Sequence, residues 1–242
     1  MIVIILAAGK GSRLYPLTKD KPKCLVKYKN KSILTHQLEI LKKNKLKKIF
    51  LVSGYKSNKI KKKNLVIVKN NEYKKTNMLY SLFKLEELFD GRDDILISYG
   101  DIIYKDIVLK KIIKSKHDFS TIIDKNWLSY WKKRMTDPIL DAESLILDNK
   151  NNILDIGQKV KSLKKIQGQY IGLTKISKNK TKDLLNIWKK IRENKKKLNE
   201  INNLYLTDFF RILIKQKFKL KAIFIKRNWL EFDTKEDLKI NF

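Results

Sequence analysis

The feature that most constrains this chain is its first 26 residues, where an unbroken apolar stretch runs into a loop of small and basic residues. Ile2 to Ala8 carries no polar side chain. An apolar run without alternation suits a strand covered on both faces, as in a parallel sheet. Gly9-Lys10-Gly11-Ser12-Arg13-Leu14-Tyr15-Pro16-Leu17-Thr18 follows, and then Pro22-Lys23-Cys24-Leu25. Ala7, Ala8, Gly9 and Gly11 let backbone N–H groups come close to a ligand. Arg13 can fork onto phosphate oxygens, and Lys23 can act as a point charge. Pro16 and Pro22 stiffen the loop and limit the entropy lost when it orders. The stretch reads as a phosphate-handling loop on the end of a buried strand, with Arg13 and Lys23 exposed on it. The plainer reading is a strand-to-loop turn that uses glycine for convenience.

At 242 residues, with 43% hydrophobic and 10% aromatic content, the chain can bury a sizeable core and is not disordered. No apolar run approaches the roughly 18–20 residues that span a bilayer. The apolar start lacks a basic leader and feeds the loop, so it reads as a core strand and not a signal peptide. The single cysteine, Cys24, cannot form an internal disulfide, and no cysteine–histidine cluster suggests zinc. A cytoplasmic setting is the expectation. The net charge of +31 raises the alternative of a nucleic-acid-binding protein. Its distribution argues against that. The cations are mostly lysines scattered along every segment, and arginine, the better phosphate and base reader, occurs only at Arg13, Arg92, Arg134, Arg192, Arg211 and Arg227.

No internal repeat or linker breaks the chain, so residues 1–242 read as one domain. Strands are predicted at residues 2–7, 48–53, 65–68, 95–98, 119–123, 144–147, 153–156, 170–175 and 220–225. Helices are predicted at 33–43, 78–89, 107–114, 181–195 and 204–215. Ser32 is placed to cap the first helix, and Thr76 or Asn77 the second. Alternation of strand and helix in the first half implies an α/β fold: a Rossmann-like, mostly parallel sheet flanked by helices. Residues of about 124–172 break the alternation and read as a small antiparallel flap of short strands and turns over the site. In such sheets, ligands bind beyond the carboxyl ends of the strands. Ser98-Tyr99-Gly100-Asp101 ends a strand there, and Glu231-Phe232-Asp233-Thr234 precedes a short helix. Turn formation for Gly-Asp and helix capping for Asp233 are the bland readings.

The N-terminal stretch resembles the signature of nucleotidyltransferases that make sugar nucleotides and related activated head groups, roughly L-A-A-G-x-G-x-R-L-x-P-L-T and then P-K-x-L. Every signature position from Leu6 to Leu25 is matched. Thr76-Asn77-Met78-Leu79-Tyr80-Ser81-Leu82, Ser98 to Asp101 and the block from Asp137 to Leu173 are similar to a narrower group. These are short cytidylyltransferases that activate phosphocholine, aminoalkylphosphonates or phosphoglutamine. The resemblance covers Ile2 to about Asp233 and is weakest from Ser177 to Lys219.

The resemblance implies a set of roles. Arg13 and Lys23 would be catalytic, together with Lys159, carried over from an I-G-K-K pattern that reads Ile156-Gly157-Gln158-Lys159 here. Leu6, Ala7, Ala8, Gly9, Gly11, Ser12, Asn77, Ser81, Tyr99 and Gly100 would bind nucleotide. Asp101 and Asp233 would hold Mg²⁺, a hard cation that takes oxygen ligands. The acceptor is expected at Asp141, Glu143, Tyr170 and Trp131, where aromatic faces and carboxylates suit an ammonium group. Trp127 and Tyr130 lie in the same region, and core packing is the plainer role for each aromatic. The expected partners are CTP and a small phosphonate or phosphomonoester, and self-association into a homo-oligomer is left open. A phosphate or phosphonate acceptor is already ionised near neutral pH, so no general base is needed; His36 and His117 read as structural or solvent-facing. Two alternatives stand beside this reading. One is a sugar-1-phosphate nucleotidyltransferase using UTP, dTTP or GTP. The other is a non-catalytic nucleotide- or nucleic-acid-binding protein.

Overall fold

The apolar N-terminal run forms the strand β1 (Ile2–Ala7) at the middle of a seven-stranded sheet, in a computed structural model that describes residues 1–242 with every side chain except that of Lys165. In chain order there follow β2 (Lys27–Tyr28), β3 (Lys31–Ser32), α1 (Ile33–Lys43), β4 (Lys48–Ser53), β5 (Val66–Lys69) and α2 (Met78–Leu82). Next come β6 (Ile95–Tyr99), β7 (Ile102–Tyr104), α3 (Asp106–Ile113), β8 (Phe119–Asp124), α4 (Trp127–Arg134), β9 (Glu143–Leu147) and β10 (Ile153–Lys159). The chain closes with β11 (Gln169–Ile176), α5 (Lys178–Arg192), α6 (Leu198–Asn202), α7 (Leu206–Lys215), β12 (Lys221–Ile225) and β13 (Trp229–Glu231). The order across the large sheet is β12-β8-β11-β6-β1-β4-β5. β1 runs parallel to β4 and β6, β4 to β5, and β8 to β12; β11 alone runs antiparallel, between β6 and β8.

Two hydrophobic cores account for the unbroken apolar character of β1. Successive side chains of a strand point to opposite faces. Val3 and Ile5 enter one core with Leu34 and Leu41 of α1 and Val108, Leu109 and Ile112 of α3. Ile2, Ile4 and Leu6 enter the other with Leu184 and Trp188 of α5 and Phe209, Phe210 and Leu213 of α7. Full burial of each such side chain contributes about 1.5–3 kcal/mol. A strand with one wet face would alternate polar residues; this one cannot.

The expected caps are present. Ser32 Oγ accepts from the N–H of Thr35 at 3.1 Å, and Asn77 Oδ1 from that of Met78 at 2.8 Å. Residues 124–172 differ in part from the expectation of short strands and turns. β9 and β10 form the antiparallel hairpin, but residues 127–134 are the helix α4, and β11 joins the large sheet. Trp127, Tyr130, Trp131 and Arg134 fall at the i, i+3, i+4, i+7 spacing of one helix face, and the three aromatics are buried. Among the described residues, no helix is long and apolar enough to cross a membrane.

Candidate active site

β1 delivers its loop to the carboxyl edge of the sheet, and the loop is tied down from several sides. Gly100 N–H donates to Leu6 O at 2.9 Å and Tyr55 N–H to Ala8 O at 3.1 Å. The buried Thr18 hydroxyl donates to Gly11 O at 3.0 Å, and buried Leu14 anchors a 3-10 turn over Ser12–Leu14. Two glycines are required by close approach. Gly11 has φ +66°, and a Cβ there would lie 2.9 Å from Cβ of Lys23. A Cβ on Gly100 would lie 2.6 Å from Cβ of Ala7. The first lets the Lys23 stem cross the loop; the second lets the Gly100-Asp101 turn sit against β1.

The result is a cavity of about 390 Å³. Leu6, Ala7, Ala8, Gly9, Gly11, Ser12 and Arg13 form one wall, with Lys23 and Cys24 beside it; Tyr73, Thr76, Asn77, Met78 and Ser81 form another, and Gly100, Asp101 and Asp233 complete it. Of the expected nucleotide-binding residues only Tyr99 is outside this lining. Its ring packs edge-on against Tyr170 at 5.5 Å, and Gly172, at φ +82°, leaves room for it.

Asp101 and Asp233, distant in sequence, meet here because β7 and β13 pair antiparallel, with Ile102 opposite Glu231 and Phe232 N–H donating to Asp101 O at 3.0 Å. Lys23 Nζ donates to Asp101 Oδ2 at 2.7 Å and to Asp233 Oδ1. Arg13 Nη2 lies 3.2 Å from Asp233 Oδ2. Arg13 is exposed as expected, but Lys23 is not: its side chain is 16% exposed, clasped between the two carboxylates. Burial opposes its charge, yet Asp101 and Asp233 hold its pKa above the ordinary lysine value. Burial likewise works to raise Asp233, but Lys23 first, then Arg13 and Arg134, hold it below the usual carboxylate range. Burial pushes the Cys24 thiol up to about 12, so it is inert.

Asp233 does not cap the helical turn after it. Asp237 reaches back instead, its Oδ2 accepting the N–H groups of Asp233 at 2.7 Å and Thr234 at 2.8 Å. This leaves the Asp233 carboxylate for the cavity. Asp101, Glu231 and Asp233 each offer a carboxylate oxygen within 4.8 Å of the others, and Asp101 Oδ1 is buried without a hydrogen-bond partner. A set of converging hard oxygen donors with one unsatisfied lone-pair site fits a divalent cation.

Four residues of this machinery carry no motif of their own. Glu231 is the third carboxylate, pushed up to about 8 by burial against the opposing pull of Arg134. Arg134, 2% exposed, donates to Glu231 Oε2 at 2.6 Å and Asp237 Oδ1 at 2.9 Å, with Asp233 Oδ2 3.7 Å away. Asp237 is the third. Gln37 on α1 is the fourth: its buried amide donates to Tyr99 O at 2.7 Å and Ile102 O at 2.6 Å, gripping both sides of the Gly100-Asp101 turn. Only the quoted E-F-D-T pattern signalled any of them, through Glu231.

The acceptor-side residues form a second group. Asp141 Oδ1 lies 4.0 Å from Arg13 Nη1, and its Oδ2 accepts from Trp131 Nε1 at 3.2 Å. Trp131 is buried against Trp127, Tyr130 and Trp229, so its indole N–H positions Asp141 while its ring packs in the core. Tyr170 packs on Tyr99 and Phe210. Glu143 is exposed as a residue, but crowding of its carboxyl group against water, with Asp141 and Asp208 nearby, pushes it up to about 6. Lys159 ends β10 opposite Glu143, exposed and outside the cavity lining. His36 Nε2 donates to Tyr28 O at 3.0 Å, and His117 is exposed; neither lines the cavity.

Comparison with known proteins places the chain in a family. A family model described as nucleotidyl transferase matches residues 2–135. The chain is 36% identical over 252 residues to the CTP:phosphoglutamine cytidylyltransferase of Campylobacter jejuni subsp. jejuni serotype O:2, covering 99% of this chain and 98% of that one. It is 30% identical over 121 residues to the choline-phosphate cytidylyltransferase of Streptococcus pneumoniae, covering 48% of this chain and 52% of that one. In structure it superposes on a CTP:phosphocholine cytidylyltransferase from Streptococcus pneumoniae with a TM-score of 0.77 at 21% identity, over 98% of this chain and 96% of that one. That likeness is one of fold.

Proposed function

This chain belongs to the nucleotidyl transferase family, and on that premise we propose that it joins CMP from CTP to a small phosphorylated or phosphonylated acceptor, releasing pyrophosphate. The observation that carries the reading is the convergence of Arg13, Lys23, Asp101 and Asp233 on one cavity walled by the β1 loop. The acceptor oxyanion attacks the α-phosphorus in line; its new P–O bond forms as the bond to the β-phosphate oxygen breaks. The chain's part is to position the groups and neutralise charge. Backbone N–H groups of Ala8 to Ser12 face the triphosphate, and Arg13 and Lys23 balance its charge. A divalent cation, Mg²⁺ in this reading, held by Asp101, Asp233 and Glu231, supplies Lewis-acid stabilisation when bound. Asn77 and Ser81, on the opposite wall, face the nucleoside, with Tyr99 behind Gly100. Lys159, on the hairpin edge beside Glu143, is assigned to the charge that develops during transfer.

Asp141 and Glu143 are assigned to an ammonium on the acceptor, with Trp131 and Tyr170 behind them. Phosphoglutamine, phosphocholine and 2-aminoethylphosphonate all carry such a cation. The relative matched over the whole chain, a phosphoglutamine enzyme by name, favours the first. The test is pyrophosphate release with Mg²⁺ and each nucleoside triphosphate against these acceptors and hexose 1-phosphates. CTP with an ammonium-bearing acceptor is expected to be fastest. UTP, dTTP or GTP with a sugar phosphate would keep the family and overturn the acceptor class. No release with any pair would favour a non-catalytic nucleotide binder.

Glu143 makes a pH prediction. With its carboxyl raised to about 6, it is ionised above that pH and neutral below it. Between pH 7 and 5, KM for an ammonium-bearing acceptor is expected to rise about tenfold more than for an uncharged alkyl phosphate, as one gating proton requires. Each KM is referred to the concentration of the acceptor's own phosphate dianion at that pH, so that the acceptors' different ionisations, lower for the one that bears an ammonium, drop out of the comparison. Glu143→Gln should abolish the difference; its persistence would remove Glu143 from the acceptor site.

A further inference from the structure

Asn70 is fully buried and lies behind the cavity wall. Its backbone N–H donates to Ser53 O at 2.7 Å, tying it to the end of β4. Its side-chain Oδ1 accepts from the backbone N–H of Glu72 at 2.9 Å. A backbone N–H can only donate, so this bond fixes which end of the amide is which. Both Nδ2 hydrogens therefore point the other way, to Thr76 Oγ1 and Ser81 Oγ, each at 3.0 Å.

The two hydroxyls differ in what remains to them. Thr76 spends its hydrogen on Glu72 O, 2.9 Å away. Ser81 receives from Asn70, and among the described residues no acceptor takes its own hydrogen. Ser81 lines the cavity. Asn70 engages one of the serine's two lone pairs, so the serine's own hydrogen is the group that still wants a partner, with one lone pair beside it.

We infer that Asn70 is a specificity-determining residue: by engaging one lone pair of Ser81 and leaving its hydrogen to be satisfied from the cavity, it biases this wall toward a pyrimidine whose ring N3 is an acceptor, as in cytosine, over one whose N3 carries hydrogen, as in uracil. The inference rests on the assignment of this cavity to the nucleotide. Cytosine N3 accepts the serine hydrogen, whereas uracil N3–H can bond only to the remaining lone pair and leaves the serine hydrogen without an acceptor in a partly desolvated site, a mismatch that discriminates. Asn70 touches no substrate; it acts through Ser81.

The test measures CTP and UTP binding by calorimetry, without turnover, for the wild type, Asn70→Asp and Ser81→Ala. An aspartate at position 70 still accepts from Glu72 N–H but now also accepts from Ser81, turning the serine oxygen outward as an acceptor. Its CTP-over-UTP preference is expected to fall at least about tenfold, with UTP binding gained. Ser81→Ala should lose CTP affinity without gaining UTP, and it carries the test if Asn70→Asp does not fold. A wild type that binds CTP, with both variants keeping its preference, overturns the inference alone. A wild type that binds neither nucleotide overturns the assignment of the cavity and the inference with it.

Discussion

Replacing Lys23 by alanine is expected to lower turnover with saturating substrates by roughly 10²–10³, the scale of removing one preorganised charge donor from a transition state. The loss should fall on turnover more than on nucleotide affinity, because the charge that grows during in-line transfer is what Lys23 is placed to meet. The structure adds a second expectation. Lys23 is clasped between Asp101 and Asp233 and only 16% exposed, so the variant leaves two carboxylates facing each other. A stability loss of about 1–3 kcal/mol follows from a charged group left without its partner. Arg13→Ala is the contrast: Arg13 is 65% exposed, so it should lose turnover with little change in melting temperature. A Lys23→Ala protein with near wild-type turnover would remove Lys23 from the chemistry. One equally stable but inactive would say that the carboxylates do not depend on it.

The second large effect is expected at Arg134, where function is not needed for the readout. Its guanidinium, 2% exposed, holds Glu231 and the almost fully buried Asp237, and stacks near the rings of Tyr130 and Trp131. Breaking a buried ion pair from one side costs about 3–5 kcal/mol, because the partner charge stays behind without compensation. Arg134→Leu should therefore lower the melting temperature by roughly 6–20 °C for a chain of this size. Arg134→Lys should recover only part of that, since an ammonium cannot bridge Glu231 and Asp237 as a planar fork does. A melting temperature within about 2 °C of wild type, under roughly 1 kcal/mol by the same scaling, would mean that α4 does not brace the carboxylate cluster.

How far the sequence carried differs by element, and the reasons are physical. β1 and its loop were legible because a two-faced buried strand and a glycine-rich, cation-bearing turn are both local patterns. Asp101 and Asp233 were legible as single positions. The resemblance joins them at one ion, but the strand pairing that brings them together was not legible, because β7 and β13 are three-residue strands too short to show a period. Gln37 is one polar residue on an amphipathic helix, and only the fold shows that its amide grips the Asp101 turn. Arg134 lies in a stretch read as turns and short strands, so the helix that buries it and aims it at Glu231 was hidden. Helix capping was the plainer reading of Asp233 from its place before the turn, whereas Asp237 takes the N–H groups of Asp233 and Thr234 from inside it. The same limit applies to Asn70, whose importance lies entirely in which hydroxyls it touches.

Transfer of CMP between phosphoryl groups leaves its signature in the product. Phosphorus NMR of the protein with CTP, Mg²⁺ and phosphoglutamine, phosphocholine or 2-aminoethylphosphonate should show the triphosphate signals replaced by a new pair. That pair belongs to a diphosphate diester for phosphocholine, a phosphoramidate–phosphate anhydride for phosphoglutamine or a phosphonate–phosphate anhydride for the phosphonate, with an equal amount of pyrophosphate. Triphosphate signals that persist with every acceptor, or that decay to free CMP or CDP without a new anhydride, would exclude CMP transfer to these acceptors.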